Sequence, residues 1–133
     1  MVYTSYFSKI KDIHNDSIII GISRFPPKNI NNNYFLAPSV ELLNDYKQGL
    51  IDIPDYITRY KNEVSYYLEN VFIGALKELI KENKDIILCC YESSDKFCHR
   101  HILADLIRGY GIDIDEYKEE INGWINTWRY IRC

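Results

Sequence analysis

The chain has 133 residues, 47% hydrophobic and 26% charged, which suits a single domain, 1–133, around one core. Its formal charge of -3 does not favour a sequence-independent grip on nucleic acid, although a local basic pocket remains open. Met1 to Ser5 lacks a basic stretch followed by an apolar one, and runs such as Ile18 to Ile20 are too short to cross a bilayer. A cytoplasmic protein with no membrane partner is therefore expected, and its four cysteines read as thiols.

In chain order, Val2 to Phe7 is short and β-prone, and Lys9 to His14 reads as a short helix or loop. Ser17 to Ile22 is a continuous β-branched run, the pattern of a buried strand. Phe25 to Asn33, with two prolines and four asparagines, is a loop leaving that strand. Ser39 can cap a helix that runs to Gly49, with Leu42, Leu43 and Tyr46 at core spacing. A second helix is predicted from near Asp52 and Pro54 to about Leu68, with Tyr56, Ile57, Tyr60 and Val64 as one stripe. A third runs from about Asn70 to Asn83, with Phe72, Ile73, Leu76, Leu79 and Ile80 inward. Asp85 to Tyr91 reads as a central parallel strand, in which Cys89 and Cys90 point to opposite sides. Cys98 to Tyr110 fits a fourth helix stopped by Gly111. Ile112 to Tyr117 reads as an edge strand or a turn of helix, and Trp124 to Tyr130 as a short packed helix.

This alternation predicts a small α/β domain of two or three layers, with a mostly parallel sheet of about three to four strands flanked by helices. Ligands in such sheets sit beyond the carboxyl ends of the strands. Two segments leave strand ends at that rim, Ser23-Arg24-Phe25-Pro26 and Glu92 to Arg100.

The second segment carries a resemblance. An apolar strand ends in Cys90-Tyr91-Glu92, a polar loop follows, and Cys98-His99-Arg100 opens an apolar helix. This resembles the DUF488 family, including the eight-residue step from Cys90 to Cys98. Near the N-terminus a Tyr-Thr-Ser strand and a second strand ending in Arg and Pro extend the resemblance over most of the chain. Many members carry Asp-x-Arg where this sequence reads Gly21-Ile22-Ser23-Arg24, so no acidic role is carried over there. The resemblance implies a fold and a site. It implies no reaction, because the family's function is unassigned.

Cys98 is placed in the first turn of a helix capped by Ser94 or Asp95, where orphan N–H groups and the dipole favour a thiolate. It reads as a nucleophile or an anion site on one side and, with equal weight, as a buried small hydrophobe on the other. Projection at about 100° per residue puts His99 on the face of Ile102, Leu103, Leu106 and Ile107, where it reads as a brace hydrogen-bonded to a carbonyl. His101 falls with Asp105 and Arg108 on the polar side, facing solvent or serving as a base. Arg100 is predicted between core and rim, where it suits a phosphate or carboxylate; a surface pair with Glu92 or Asp95 is the plainer alternative. Glu92 reads as a general acid/base or as the partner of Arg100. Cys90, Ser23, Arg24 and Lys28 would face the same crevice. Tyr3, Thr4 and Ser5 would bring hydroxyls to the rim if the first strand is central and parallel.

Three functions fit these residues. The first is an enzyme with Cys98 as nucleophile and Arg100 holding a phosphate-bearing or nucleotide-like substrate. The motif does not match the protein phosphatase signature, whose arginine lies six positions beyond the cysteine rather than two, which argues against that activity. The second is a non-catalytic nucleotide or nucleic-acid binding module, with tyrosines stacking on bases. The third is a zinc site from Cys90, Cys98 and His99 or His101, although the spacing fits no compact zinc motif. The sequence specifies no cofactor and no oligomeric state.

Overall fold

The computed structural model describes residues 1–13, 16–92 and 97–117. It contains four parallel strands, β1 (Val2–Tyr6), β2 (Ile18–Gly21), β3 (Ile86–Cys90) and β4 (Ile114–Glu116). Their order is β2-β3-β1-β4, with Val2 opposite both Ile86 and Ile114, and Ile18 opposite Ile86. Helices α1 (Val40–Lys47), α2 (Ile53–Tyr67) and α3 (Ile73–Lys81) connect β2 to β3, and α4 (His99–Arg108) connects β3 to β4. The chain is thus a small α/β domain, and the segment Ile112 to Tyr117 supplies an edge strand.

The period of two along each strand divides the sheet into two environments. Val2, Ile18, Ile20, Ile86, Leu88 and Cys90 face the helices, in one core with Leu42, Tyr60, Val64, Leu76 and Leu103. Tyr3, Ile19, Ile87 and Cys89 face the other way, onto Phe7, Ile10, Ile13 and Tyr117. Among the described residues all four helices lie on the first face and a 3-10 turn, Phe7–Asp12, lies on the second.

Local chemistry sets the helix ends. The Ser39 hydroxyl accepts from the Leu42 N–H at 3.1 Å. Asp52 and Asp55 form a reciprocal capping box ahead of α2, with Pro54 in its first turn. Gly49 and Gly111 take φ of 74° and 83°, which closes α1 and α4 in the left-handed region.

Two features depart from the sequence pattern. Helices α2 and α3 form one rod, joined by a π-helical turn at Leu68–Phe72. The inward side chains Tyr56, Tyr60, Val64, Leu68, Phe72 and Leu76 recur every fourth residue, which overruns a 3.6-residue turn. One wider turn absorbs the drift and keeps the stripe on the sheet. Secondly, α4 begins at His99, and Cys98 is its N-cap residue in extended conformation, with no side-chain cap bond. Cys98 therefore precedes the first turn rather than lying in it. The expected caps Ser94 and Asp95, and the expected helix from Trp124 to Tyr130, lie outside the described residues.

Candidate active site

A cavity of about 220 Å³ opens beyond the carboxyl ends of β2 and β3, where a parallel sheet places its ligands. Cys90, Cys98 and His99 line it together with Ser23, Arg24 and Phe25 from the exit of β2, and Tyr91 and Glu92 from the exit of β3. Its apolar side is aromatic. Tyr46 of α1, Tyr56 of α2 and Phe97 meet with ring centroids 5.1 to 5.6 Å apart, at angles from tilted to edge-on.

Within this cavity His99 is held by both ring nitrogens. Nε2 lies 2.6 Å from the Ile22 carbonyl oxygen and Nδ1 3.7 Å from the Cys98 sulfur. A carbonyl only accepts, so Nε2 carries the proton and Nδ1 presents a lone pair to the sulfur. Burial, with Arg100 and His101 nearby, pushes the imidazole down from the usual 6.5 to about 4, against the raising effect of the Ile22 bond. At neutral pH the ring is therefore uncharged. The Tyr60 ring packs edge-on against it at 5.4 Å, and the Tyr60 hydroxyl donates to the Leu36 carbonyl at 2.6 Å. His99 is thus a buried histidine bonded to a carbonyl, with Nδ1 turned toward the Cys98 sulfur.

Beside this pair, the structure joins Cys90 and Cys98 through their sulfurs, with Cα atoms 7.7 Å apart. Two of the four expected thiols thus meet at the end of β3 and the start of α4. The reason is geometric: Cys90 lies on the helix face of the sheet, directly below the N-cap of α4. Arg100 supports the pair from behind. Its Nη1 donates to the Cys90 sulfur at 3.0 Å and to the Glu92 carbonyl. Its Nε and Nη2 grip Glu116 of β4 at 3.1 and 2.9 Å, and its guanidinium lies 5.6 Å from the Tyr6 ring centre. The arginine is fully buried and Glu116 nearly so. Thr4 adds a hydroxyl donor to Glu116 at 2.7 Å.

A family model described as the active DUF488-N3 subclade matches residues 3–111. This chain belongs to the DUF488 family. No curated protein and no solved structure gave a match. The segment from Cys90 to Arg100 and the exits of β2 and β3 all fall within the matched range of the DUF488 domain.

Of the residues singled out in the sequence, this DUF488 fold brings Cys90, Cys98, His99, Glu92, Ser23 and Arg24 to one cavity. Arg24 arrives committed to the loop that follows. Its Nε donates to the Pro38 carbonyl at 3.0 Å, and its Nη2 to the carbonyls of Tyr34 and Ala37 at 3.2 and 3.3 Å. Ser23 is held by Asn32, whose amide accepts from the Ser23 N–H at 3.3 Å and donates to the Ser23 carbonyl at 2.9 Å. A side chain at Gly21 would collide with that amide, so glycine is needed for this clamp.

Other residues fall elsewhere. Arg100 is in the core and paired with the Glu116 carboxylate rather than with that of Glu92, because β4 brings a carboxylate beneath α4; Asp95 lies outside the described residues. Ser5 lies opposite Cys89 in the register and shares its face, the one away from Cys90. It is fully buried, and its hydroxyl has no hydrogen-bond partner among the described residues. Thr4 faces the helices but serves Glu116. His101 is buried rather than solvent-facing, because the first turns of α4 are enclosed on all sides. Lys28 is exposed and does not line the cavity. Among the described residues no three of His, Cys, Asp and Glu converge to hold a metal ion, and His99 has one ring nitrogen already on a carbonyl. No described helix is long and apolar enough to cross a membrane.

The sequence did not point to the Ile22 carbonyl, Asn32, Glu116 or the aromatic wall. Tyr46 and Tyr56 sit on core stripes, and only the fold shows that the stripe's outer end borders a cavity. For Glu116 no local signal exists.

Proposed function

We propose that this DUF488 chain is a cytoplasmic thiol enzyme, with Cys98 as the nucleophile in its reduced form and His99 as the group that takes its proton. One observation carries the reading: an imidazole fixed by the Ile22 carbonyl presents its bare nitrogen to the Cys98 sulfur inside a cavity. That is the nucleophile, base and orienting group of covalent catalysis, with a backbone carbonyl in the third role. An imidazolium would be buried beside Arg100, so the resting state is a thiol hydrogen-bonded to a neutral ring. The proton moves as the sulfur attacks.

The cavity is smaller than the roughly 300 Å³ at which drug-sized ligand pockets begin. It suits one planar fragment on the Tyr46, Tyr56 and Phe97 rings, such as the base of a nucleotide-like substrate. The reading assigns proton exchange with that fragment to Glu92, which lines the cavity at the exit of β3. Phosphate recognition by Arg100 has no support in its position, so the planar end is the part recognised. The family description "active" accords with an enzyme.

A thermal-shift panel of nucleosides and nucleotides, followed by turnover assays on any that bind, tests this. Cys98→Ser should retain binding and lose turnover. The aromatic wall also supports a second reading, a non-catalytic nucleotide-binding module. A ligand that is bound unchanged by the native protein, with affinity kept in Cys98→Ser, selects that reading instead.

A further inference from the structure

The geometry points to a second working cysteine: we propose that Cys90 resolves adducts formed on Cys98, making the cavity a dithiol–disulfide exchange site for small aromatic disulfides. The proposal rests on the reading of Cys98 as nucleophile and adds a partner to it. Three observations carry it. The two sulfurs meet in the floor of the cavity, so an adduct on one is within reach of the other. A charged guanidinium donates to the Cys90 sulfur at 3.0 Å, an arrangement that favours negative charge on that sulfur. The two sulfurs are served by different groups, Arg100 for Cys90 and His99 for Cys98, which suits two sulfurs with different tasks. The aromatic wall above them supplies the preference for a planar, uncharged disulfide.

The steps balance. The Cys98 thiol gives its proton to His99 Nδ1 while its sulfur attacks one sulfur of R–S–S–R. The disulfide bond breaks, the first thiolate leaves with the proton from His99, and Cys98 carries the other half as a mixed disulfide. The Cys90 thiolate then attacks the Cys98 sulfur, the mixed bond breaks, and the second thiolate departs. The protein has lost two electrons and gained a Cys90–Cys98 bond, while R–S–S–R has become one thiol and one thiolate. Two equivalents of a low-molecular-weight thiol reverse the cycle.

The test treats phosphine-reduced, desalted protein with 4,4′-dithiodipyridine, follows thiopyridone release, and maps the modified cysteines by mass spectrometry. With Cys133 replaced by Ser in every sample, the otherwise native protein should release two equivalents in its fast phase and keep no pyridyl group on Cys90 or Cys98. Cys90→Ser should release one and retain a pyridyl group on Cys98. Arg100→Lys, which keeps the charge but loses the fork, should slow the second release relative to the first. Retention of the pyridyl group on Cys98 in native protein overturns the role of Cys90 and leaves Cys98 as nucleophile. Absence of fast reaction at Cys98 in both native protein and Cys90→Ser, each checked for a cooperative melt, overturns the nucleophile reading itself.

Discussion

Cys89 and Cys90 are neighbours in the chain, yet the sheet gives them opposite surroundings. Cys90 faces the helices, where Arg100 and Cys98 reach its sulfur and a cavity opens above it. Cys89 faces Ile13 and Ile87, and burial pushes its thiol up to about 12. The same division separates Thr4, bonded to Glu116, from Ser5, whose buried hydroxyl is unpaired among the described residues. One peptide unit is enough to separate reactive surroundings from inert ones, because alternate strand residues share no environment.

Thiol labelling offers the largest contrast between the faces. In reduced native protein at pH 7, Cys89 should react with iodoacetamide about a thousandfold more slowly than a free cysteine, on thiolate content alone. Labelling of Cys89 at the rate of Cys98, read by peptide mapping, would erase the distinction. Next comes the ion pair beneath Cys90. Arg100→Met leaves Glu116 buried without its partner and should cost about 3–5 kcal/mol in urea unfolding. Arg100→Met with Glu116→Met should recover most of that loss, and failure to do so would mean the pair holds more than its own charges.

A smaller effect follows from His99. Its folded-state value lies below the unfolded one, so as pH falls the unfolded chain takes up the proton first. Stability should decline between pH 6.5 and about 4, by about 3 kcal/mol in all, with no further contribution from this group below that window. The slope should disappear in His99→Gln, measured against native protein at each pH. Smallest of all, Ser5→Ala on the far face should leave stability unchanged or raise it by up to about 1 kcal/mol, since it removes an unmet hydroxyl. A clear loss of ligand binding in that variant would place Ser5 functionally with Cys90 after all.

Much of this arrangement was legible in the sequence. Continuous apolar runs marked β2 and β3, Ser39 and Asp52 marked helix starts, and Gly49 and Gly111 marked helix ends. The rim followed from strand direction alone. Helical projection placed His99 inward, where the Ile22 carbonyl meets it. The remainder depends on contacts between distant segments. The partner of Arg100 comes from a strand sixteen residues on, and its arrival beneath α4 is fixed by the pairing of β4 with β1. The Cys90–Cys98 contact depends on how α4 seats on the sheet. The π-helical turn has no residue signature of its own, since it arises from a stripe fitted to the sheet across its whole length.

The strand order has a consequence in time. Neither β1 nor β2 pairs with the other; each waits for β3, which is about eighty residues downstream of β1. During synthesis at about 5–20 residues per second, that delay is roughly 4–16 s. Until β3 is complete no strand has a neighbour, and when it emerges it joins both waiting strands and delivers Cys90 in the same event. The central strand and the first cysteine of the site thus arrive together, while Cys98, His99 and the edge strand β4 follow within about thirty residues.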